Sequence, residues 1–183
     1  CPILVRGNAT VGDMNQVSGG LRGISVVLPI LNEERHLEES ISAILAQQYS
    51  GEFEVILALG PSTDRTNEIA ANLAAKDARV VLVENPTGRT ANGLNAAIAK
   101  SKFPVIARID GHAEISPTYL SQAVATLEKT GAVNVGGIMA AEGKTKFERA
   151  VATAMRSPLG VGSAAFHVGG SAGPADTVYL GTF

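Results

Sequence analysis

Residues 24–31 read Ile-Ser-Val-Val-Leu-Pro-Ile-Leu, and this apolar run decides the predicted fold. The run is short and broken only by a serine and by Pro29, which is typical of a parallel strand that is buried on both faces. Asn32 follows, and the pattern predicts that it caps a helix with Glu33 and Glu34 in the first turn. The segment is therefore predicted to be a strand followed by a helix.

The same alternation of strand and helix continues to about residue 155. Further strands are predicted at 53–59, 79–84, 105–109 and 132–139, and further helices from the turn at 61–64 to about 75, at 90–100, from Pro117 onward and at 146–155. The inward side chains are expected to include Leu94, Ala97, Ile98, Leu120, Val124, Leu127 and the alternating Val133, Val135, Gly137 and Met139. Such alternation predicts an α/β fold, a three-layer α/β/α sandwich with a mostly parallel sheet.

Composition limits the classes of protein to which the chain could belong. It has 183 residues, 45% of them hydrophobic, and a formal net charge of −2 without a basic stripe, so nucleic acid is not expected as a partner. Its single cysteine, Cys1, fits a reducing compartment. We expect a flexible lead-in at 1–23 and one domain at 24–183, truncated at its C-terminus, with a long glycine-rich loop at 160–173.

Three common α/β chemistries are not supported by the loops. The loop after the first strand has neither the Gly-x-x-x-x-Gly-Lys-Ser/Thr pattern that cradles phosphates nor the Gly-x-Gly-x-x-Gly pattern of dinucleotide folds. The Gly-x-Ser-x-Gly elbow of α/β-hydrolases is also absent, since the nearest stretch, residues 160–163, does not match it.

Residues 106–113 read Ile-Ala-Arg-Ile-Asp-Gly-His-Ala and place charged groups at the end of a predicted strand. Ligands bind at the carboxyl ends of strands in open α/β sheets. On an extended segment Asp110 and His112 would point the same way and could face one divalent cation. The alternative is an Asp-Gly turn with His112 on the surface. Arg108 inside the strand suggests a partner, either a carboxylate on a crossing strand or a ligand phosphate.

Four segments follow one another along the chain at the ends of the predicted strands. They are residues 24–33 with Pro-x-x-Asn-Glu, 61–66 (Pro-Ser-Thr-Asp-Arg-Thr), Asn85-Pro86 with Arg89 and 93–98 (Gly-Leu-Asn-Ala-Ala-Ile), and 110–112 (Asp-Gly-His). Together they resemble the donor-binding part of family 2 glycosyltransferases of the GT-A fold, with Asp-Gly-His in the place of the Asp-x-Asp metal motif. The histidine in the third place is similar to the subgroup of succinoglycan-type exopolysaccharide transferases. The resemblance extends over about residues 24–183.

The resemblance implies a site for a nucleotide-sugar donor and a divalent metal. The residues implied in donor binding are Pro29, Asn32, Glu33, Arg89, Asn95 and Asp110, and the implied metal ligands are Asp110 and His112. The metal would be Mn²⁺ or Mg²⁺, and the imidazole favours Mn²⁺. The implied reaction transfers a sugar, with inversion, to a glycan or lipid-linked acceptor. A cytoplasmic location is expected, with the inner face of the membrane as an alternative through residues outside this chain.

The sequence departs from the family pattern at two points. The family usually carries a pair of acids before the 61–66 segment, one of which binds uracil, whereas this chain has Leu59 and Gly60. The acidic motif that supplies the catalytic base is not found before Phe183, so the catalytic residue is unassigned. We therefore expect a donor-binding portion that transfers little or no sugar by itself.

Two other functions remain open at this stage. A nucleotidyltransferase would use a similar sheet but would need a glycine-rich basic loop after the first strand, and residues 29–35 do not supply one. A non-catalytic binding or scaffold domain of the same fold agrees with both departures from the family pattern.

Overall fold

The computed structural model describes residues 4–6, 22–137, 145–155, 157, 173–174 and 178–183. The chain divides into two compact units. The first comprises residues 15–121 with Thr182, and the second comprises residues 1–14 and 122–181 with Phe183. Among the described residues, no helix is both long enough and apolar enough to cross a membrane.

The first unit is built on a parallel sheet. Its strands are Ile24–Ile30 (β2), Phe53–Leu59 (β3), Val80–Glu84 (β4) and Val105–Arg108 (β5), and its helices are Leu37–Leu45 (α1), Thr66–Lys76 (α2) and Thr90–Lys100 (α3). The strand order is β4-β3-β2-β5, and all three pairings are parallel. The predicted α/β fold with a mostly parallel sheet is confirmed.

Burial on both faces explains why these strands are continuous apolar runs. On one face Val27, Ile56 and Ala58 pack with Ala97 of α3. Their neighbours Val26 and Leu28 point to the opposite face and are also fully buried. Helices therefore cover both faces of the sheet, which gives the predicted three layers.

The start of α1 differs from the prediction. The helix begins at Leu37, and residues 34–36 form a turn before it, so Glu33 and Glu34 precede the helix instead of filling its first turn. Asn32 does not cap α1, because its backbone is left-handed with φ of 55° and its side chain is directed to the loop after β3. The predicted cap was wrong because the local pattern cannot show a contact between distant loops.

Smaller corrections concern side chains that were expected to face inward. Ile98 is 38% exposed, whereas Ala97 is buried as predicted and shares the buried face of α3 with Gly93. Val133 is 54% exposed and precedes the strand, whose described residues are Asn134–Gly137 (β6). Leu120 and Val124 are buried as predicted, while Met139 lies outside the described residues.

The second unit contains the remaining elements of the chain. They are Leu4–Arg6 (β1), β6, Lys146–Met155 (α5), Gly173–Pro174 (β7) and Tyr179–Thr182 (β8), with Thr182 counted in the first unit; Tyr119–Thr130 (α4) starts in the first unit and continues into the second. β1 pairs antiparallel with β6 and parallel with β7. This strand lies inside the segment predicted as a lead-in, which had suggested no strand. The rest of that segment up to residue 21, and residues 160–172 of the glycine-rich loop, lie outside the described residues.

Candidate functional site

The parallel strands of the first unit bring four loops to one edge of the sheet. β3 lies on one side of β2 and β5 on the other, so the direction of strand succession reverses between β2 and β5. In open α/β sheets the ligand crevice lies at this reversal, outside the carboxyl ends of the strands. The pairing of β2 with β5 ends at Val27 and Arg108, whereas its pairing with β3 continues to Ile30 and Leu59. The crevice is therefore expected between the loops that follow β2 and β5.

Pro29 stands where β2 has lost its partner on one side. The carbonyl of Ile30 accepts the N–H of Gly60 on the β3 side, and the carbonyl of Val27 accepts the N–H of Ile109 on the β5 side. Because backbone groups alternate along a strand, the nitrogen of Pro29 faces the β5 side, beyond the last pair that joins the two strands. A missing N–H costs nothing there, so proline is tolerated inside a central strand.

Asn32 joins the loop after β2 to the loop after β3. Its Oδ1 accepts a hydrogen bond from the N–H of Thr63 at 2.8 Å, and its own N–H donates to Oγ of Ser62 at 3.1 Å. The next N–H, that of Glu33, donates to the hydroxyl oxygen of Thr66 at 2.7 Å. The backbone after β2 is thus fixed by the loop after β3 and by the first residue of α2.

Asp64 connects the same two loops through its carboxylate. Oδ1 accepts the N–H of Thr66 at 3.0 Å, and Oδ2 accepts the N–H of Glu34 at 3.2 Å. Hydrogen bonding from the side chain of Thr66, together with these backbone N–H groups, holds the pKa of Asp64 below its usual value. Asp64 thus joins the first residue of α2 to the loop after β2.

Glu33 and His112 meet across the crevice, one after β2 and the other after β5. Oε1 of Glu33 lies 3.0 Å from Nδ1 of His112, with side chains that are 19% and 60% exposed. Gly111 permits this approach, because a Cβ at that position would lie 2.8 Å from Cδ1 of Ile30 and 3.2 Å from Cγ of Glu33. No local sequence pattern indicated this pair, since 79 positions separate the two residues.

Asp110 is held by Arg108 of its own segment. The guanidinium of Arg108 donates to Oδ1 of Asp110, with a distance of 3.1 Å from Nη2 to Oδ1. The N–H of Ala113 donates to the carbonyl of Asp110 at 2.9 Å, so residues 110–113 form a turn. The geometric argument that placed Asp110 and His112 on one extended segment was therefore wrong, because the strand ends at Arg108. The carboxylate that holds Arg108 therefore belongs to its own segment, and not to a crossing strand as predicted.

Arg89 lies just before α3, and Asn95 lies on its exposed surface. Arg89 immediately precedes the first helical residue, and its side chain is exposed. Its carbonyl accepts a hydrogen bond from Nδ2 of Asn85, which is 3% exposed. Asn95 is exposed on the helix, and within the described part of the chain it has no recorded contact with the residues after β2 or β5. The buried side chain of Asn85 thus fixes the start of α3. No role was predicted for this residue, although Asn85-Pro86 belongs to one of the family-like segments.

A cleft of about 250 Å³ lies beside His112 in the first unit. Its lining residues are His36, Glu39, Ser40, Ala43, His112, Ala113, Glu114 and Ile115. Among the residues that the structure describes, no three His, Cys, Asp or Glu side chains are grouped so that they could hold a metal ion. Asp110 and His112 offer one carboxylate and one imidazole, which suits a cation that takes its other ligands from water and substrate phosphates. The donor set fits a shared metal but not one that the protein encloses alone.

Comparison with known proteins decides the family. Residues 25–170 match the description "Glycosyl transferase family 2". The chain belongs to this family. The matched segment includes the loops after β2, β3, β4 and β5, so all the predicted site residues lie within it.

Relatives and solved structures agree with this family. The chain is 34% identical over 146 residues to the succinoglycan biosynthesis protein ExoA of Rhizobium meliloti, which covers 79% of this chain and 44% of ExoA. The mannosyltransferase PcManGT from Pyrobaculum calidifontis, solved with GDP-Man and Mn²⁺, has a TM-score of 0.57 at 24% identity over 63% of this chain and 35% of that one. S. aureus TarS 1–349 in complex with UDP has a TM-score of 0.55 at 22% identity, over 61% and 34%. The two structures show the fold, and the chain spans less than half of each of these proteins.

Proposed function

We propose that the crevice between the loops after β2 and β5 binds the nucleoside-diphosphate sugar of a glycosyltransferase together with a divalent metal. The observation that carries this proposal is the pairing of Glu33 with His112 and of Arg108 with Asp110 at the reversal of the strand order. Cationic, anionic and imidazole groups meet there at the carboxyl edge of a parallel sheet, where ligands of this fold class bind.

Asp110 and His112 would hold the metal and Arg108 would contact the donor. When bound, the metal supplies positive charge that stabilises the diphosphate leaving group. Arg108 is engaged by Asp110 in the structure, and its side chain is 42% exposed, so it is free to turn toward a phosphate. A guanidinium binds phosphate oxygens through paired N–H groups. Mn²⁺ is favoured over Mg²⁺ because it accepts an imidazole ligand more readily.

The remaining predicted donor residues would act at the rim of the crevice. Arg89 precedes an eleven-residue helix whose first N–H groups favour an anion, so it would hold phosphate. Asn32 and Pro29 would shape the floor, since both belong to the backbone that leads from β2 into the crevice. Asn95 remains a proposed donor contact, supported only by its place in the motif at 93–98.

The acceptor and the reaction course are also part of the proposal. The relative ExoA is named for succinoglycan biosynthesis, which supports a growing glycan or a lipid-linked glycan as acceptor. An inverting transfer would need a base that deprotonates the acceptor hydroxyl. The location at the inner face of the membrane remains a proposal.

The test is calorimetric titration of UDP, GDP and their sugars, with and without Mn²⁺, on the chain and on Asp110→Asn. We expect the nucleotides of one of the two nucleobases to bind with a metal-dependent affinity that Asp110→Asn abolishes. Asp77→Asn is the matched control, because Asp77 pairs with Arg79 two positions away just as Asp110 pairs with Arg108, but it precedes β4 at the opposite edge of the sheet. A folded chain that binds none of these nucleotides, or an equal loss in both variants, would contradict the proposal.

A further inference from the structure

We infer that Glu33 is a positioning residue for His112: it accepts the Nδ1 proton of the imidazole and so presents Nε2 to the cation. This inference rests on the proposed function. It assigns to Glu33 a role other than the direct donor contact that the family resemblance implies. The two side chains differ in exposure, at 60% for His112 and 19% for Glu33.

Glu33 is held in place by hydrogen bonds of its backbone. Its N–H donates to the hydroxyl of Thr66 at 2.7 Å, and its carbonyl accepts the N–H groups of His36 and Leu37 at 3.0 and 2.9 Å. The backbone of Glu33 is therefore fixed on both sides, and its side chain is largely buried. His112, in contrast, stands on a turn with a side chain that is 60% exposed. An exposed imidazole without a partner would sample several rotamers, and the contact with Glu33 removes that freedom.

The chemistry of the pair decides which ring nitrogen carries the proton. An ionised carboxylate only accepts hydrogen bonds, so a neutral imidazole in this contact must carry its proton on Nδ1. The lone pair then lies on Nε2, on the side of the ring away from Glu33. Carboxylates that hold a metal-binding histidine in this way fix its tautomer and orientation, and their loss typically lowers metal affinity about 10- to 100-fold.

A glycine at position 111 allows the loops after β2 and β5 to approach each other closely. Gly111 leaves no side chain between the turn and Glu33, where a Cβ would stand 3.2 Å from Cγ and 3.5 Å from Cδ of that residue. Larger residues at position 111 would push Glu33 away from the ring. The glycine between Asp110 and His112 thus serves the contact as well as the turn.

The direct donor role and the positioning role make different predictions for Glu33→Ala. A residue that only contacts the nucleoside would, when removed, weaken nucleotide binding equally with and without metal. A positioning residue would weaken only the component of binding that depends on Mn²⁺. Glu33→Gln should retain part of the Mn²⁺-dependent binding, because the amide oxygen can still accept a hydrogen bond from Nδ1–H.

The experiment combines imidazole ¹⁵N NMR of the full chain with nucleotide titration in the presence and absence of Mn²⁺. His112→Gln assigns the resonances. Glu114→Gln is the matched control, because Glu114 lines the cleft beside His112 and carries the same charge as Glu33, but its side chain is exposed and makes no hydrogen bond with the imidazole among the described residues. We expect the Nδ1–H tautomer of His112 in the unmodified chain and in Glu114→Gln, and a shift toward the Nε2–H tautomer in Glu33→Ala. The Mn²⁺-dependent gain in nucleotide affinity should fall about 10- to 100-fold in Glu33→Ala and less in Glu33→Gln.

An unchanged His112 tautomer in Glu33→Ala, or an equal loss of nucleotide affinity with and without Mn²⁺, would overturn the role of Glu33 while leaving the proposed donor site intact. An unmodified chain that shows the Nδ1–H tautomer but gains no nucleotide affinity from Mn²⁺ would overturn the metal-dependent donor site and, with it, this role.

Discussion

Oδ1 of Asn32 accepts a hydrogen bond from the N–H of Thr63 at 2.8 Å, while Oγ of Ser62 accepts the N–H of Asn32. This exchange closes the loop after β2 onto the loop after β3. Asn32 also has a φ of 55°, a conformation that asparagine tolerates better than most residues with a Cβ. One side chain therefore meets two local demands, a left-handed backbone and an acceptor for the neighbouring loop.

Asn32→Ala is expected to destabilise the chain by about 1–3 kcal/mol, because it removes the acceptor of the Thr63 N–H and places alanine in a left-handed conformation. Urea denaturation followed by circular dichroism measures the change. Asn32→Gly separates the two causes, since glycine removes the acceptor but adopts the left-handed backbone conformation without strain. If glycine destabilises as much as alanine, the backbone conformation contributes nothing.

Arg108→Gln is expected to change metal and nucleotide binding in opposite directions. Removing the guanidinium leaves the Asp110 carboxylate without its cation, so Mn²⁺ alone should bind more tightly. The nucleoside diphosphate should bind more weakly, because a phosphate contact is lost. Mn²⁺ titration monitored by electron paramagnetic resonance and calorimetry with nucleotide give the two affinities. Weaker Mn²⁺ binding in the variant would contradict the competition between Arg108 and the metal.

Gly93→Ala tests which of two effects wins at the contact of α3 with β2. Alanine favours a helix over glycine by about 1 kcal/mol. Its Cβ, however, would lie 2.8 Å from Nδ2 of Asn85 and 3.2 Å from Cβ of Pro29. Overpacking of this kind costs about 1–3 kcal/mol, so we expect net destabilisation in urea. The exposed Ala99 provides the control, because Ala99→Gly reports the propensity difference without the contact. A stabilised Gly93→Ala chain would show that Asn85 moves freely.

Asp64→Asn is expected to flatten the acid side of the stability profile. The folded pKa of Asp64 lies below the unfolded value of about 3.9, because the Thr66 side chain and the loop N–H groups favour the carboxylate. The ionised form therefore stabilises the fold above about pH 4, and this contribution is lost as the pH falls through the folded pKa. Asparagine keeps an acceptor oxygen but does not titrate. Denaturation at several pH values between 2.5 and 7 should show the largest difference between the two chains near neutral pH, and a constant difference would contradict the assignment.

Periodicity predicted the strands and helices that pack against each other within a few tens of residues. Phe53–Leu59, Thr90–Lys100 and Lys146–Met155 have the predicted bounds, because continuous burial or a helical stripe is visible in the order of the residues themselves. The errors occur where a distant contact overrides the local pattern. Asn32 reads as a helix cap, but the loop 30 residues later captures its side chain.

The sequence by itself determined the α/β class, the position of Asp110 just after a strand and, through its ordered motifs, the family. Only the tertiary structure decided that β5 lies beside β2, so that Glu33 meets His112 while Asp110 is held by Arg108. The physical reason is that strand order depends on which buried faces pack together, and this free energy is shared by the whole sheet. No local stretch of residues encodes which of the four loop ends will be neighbours.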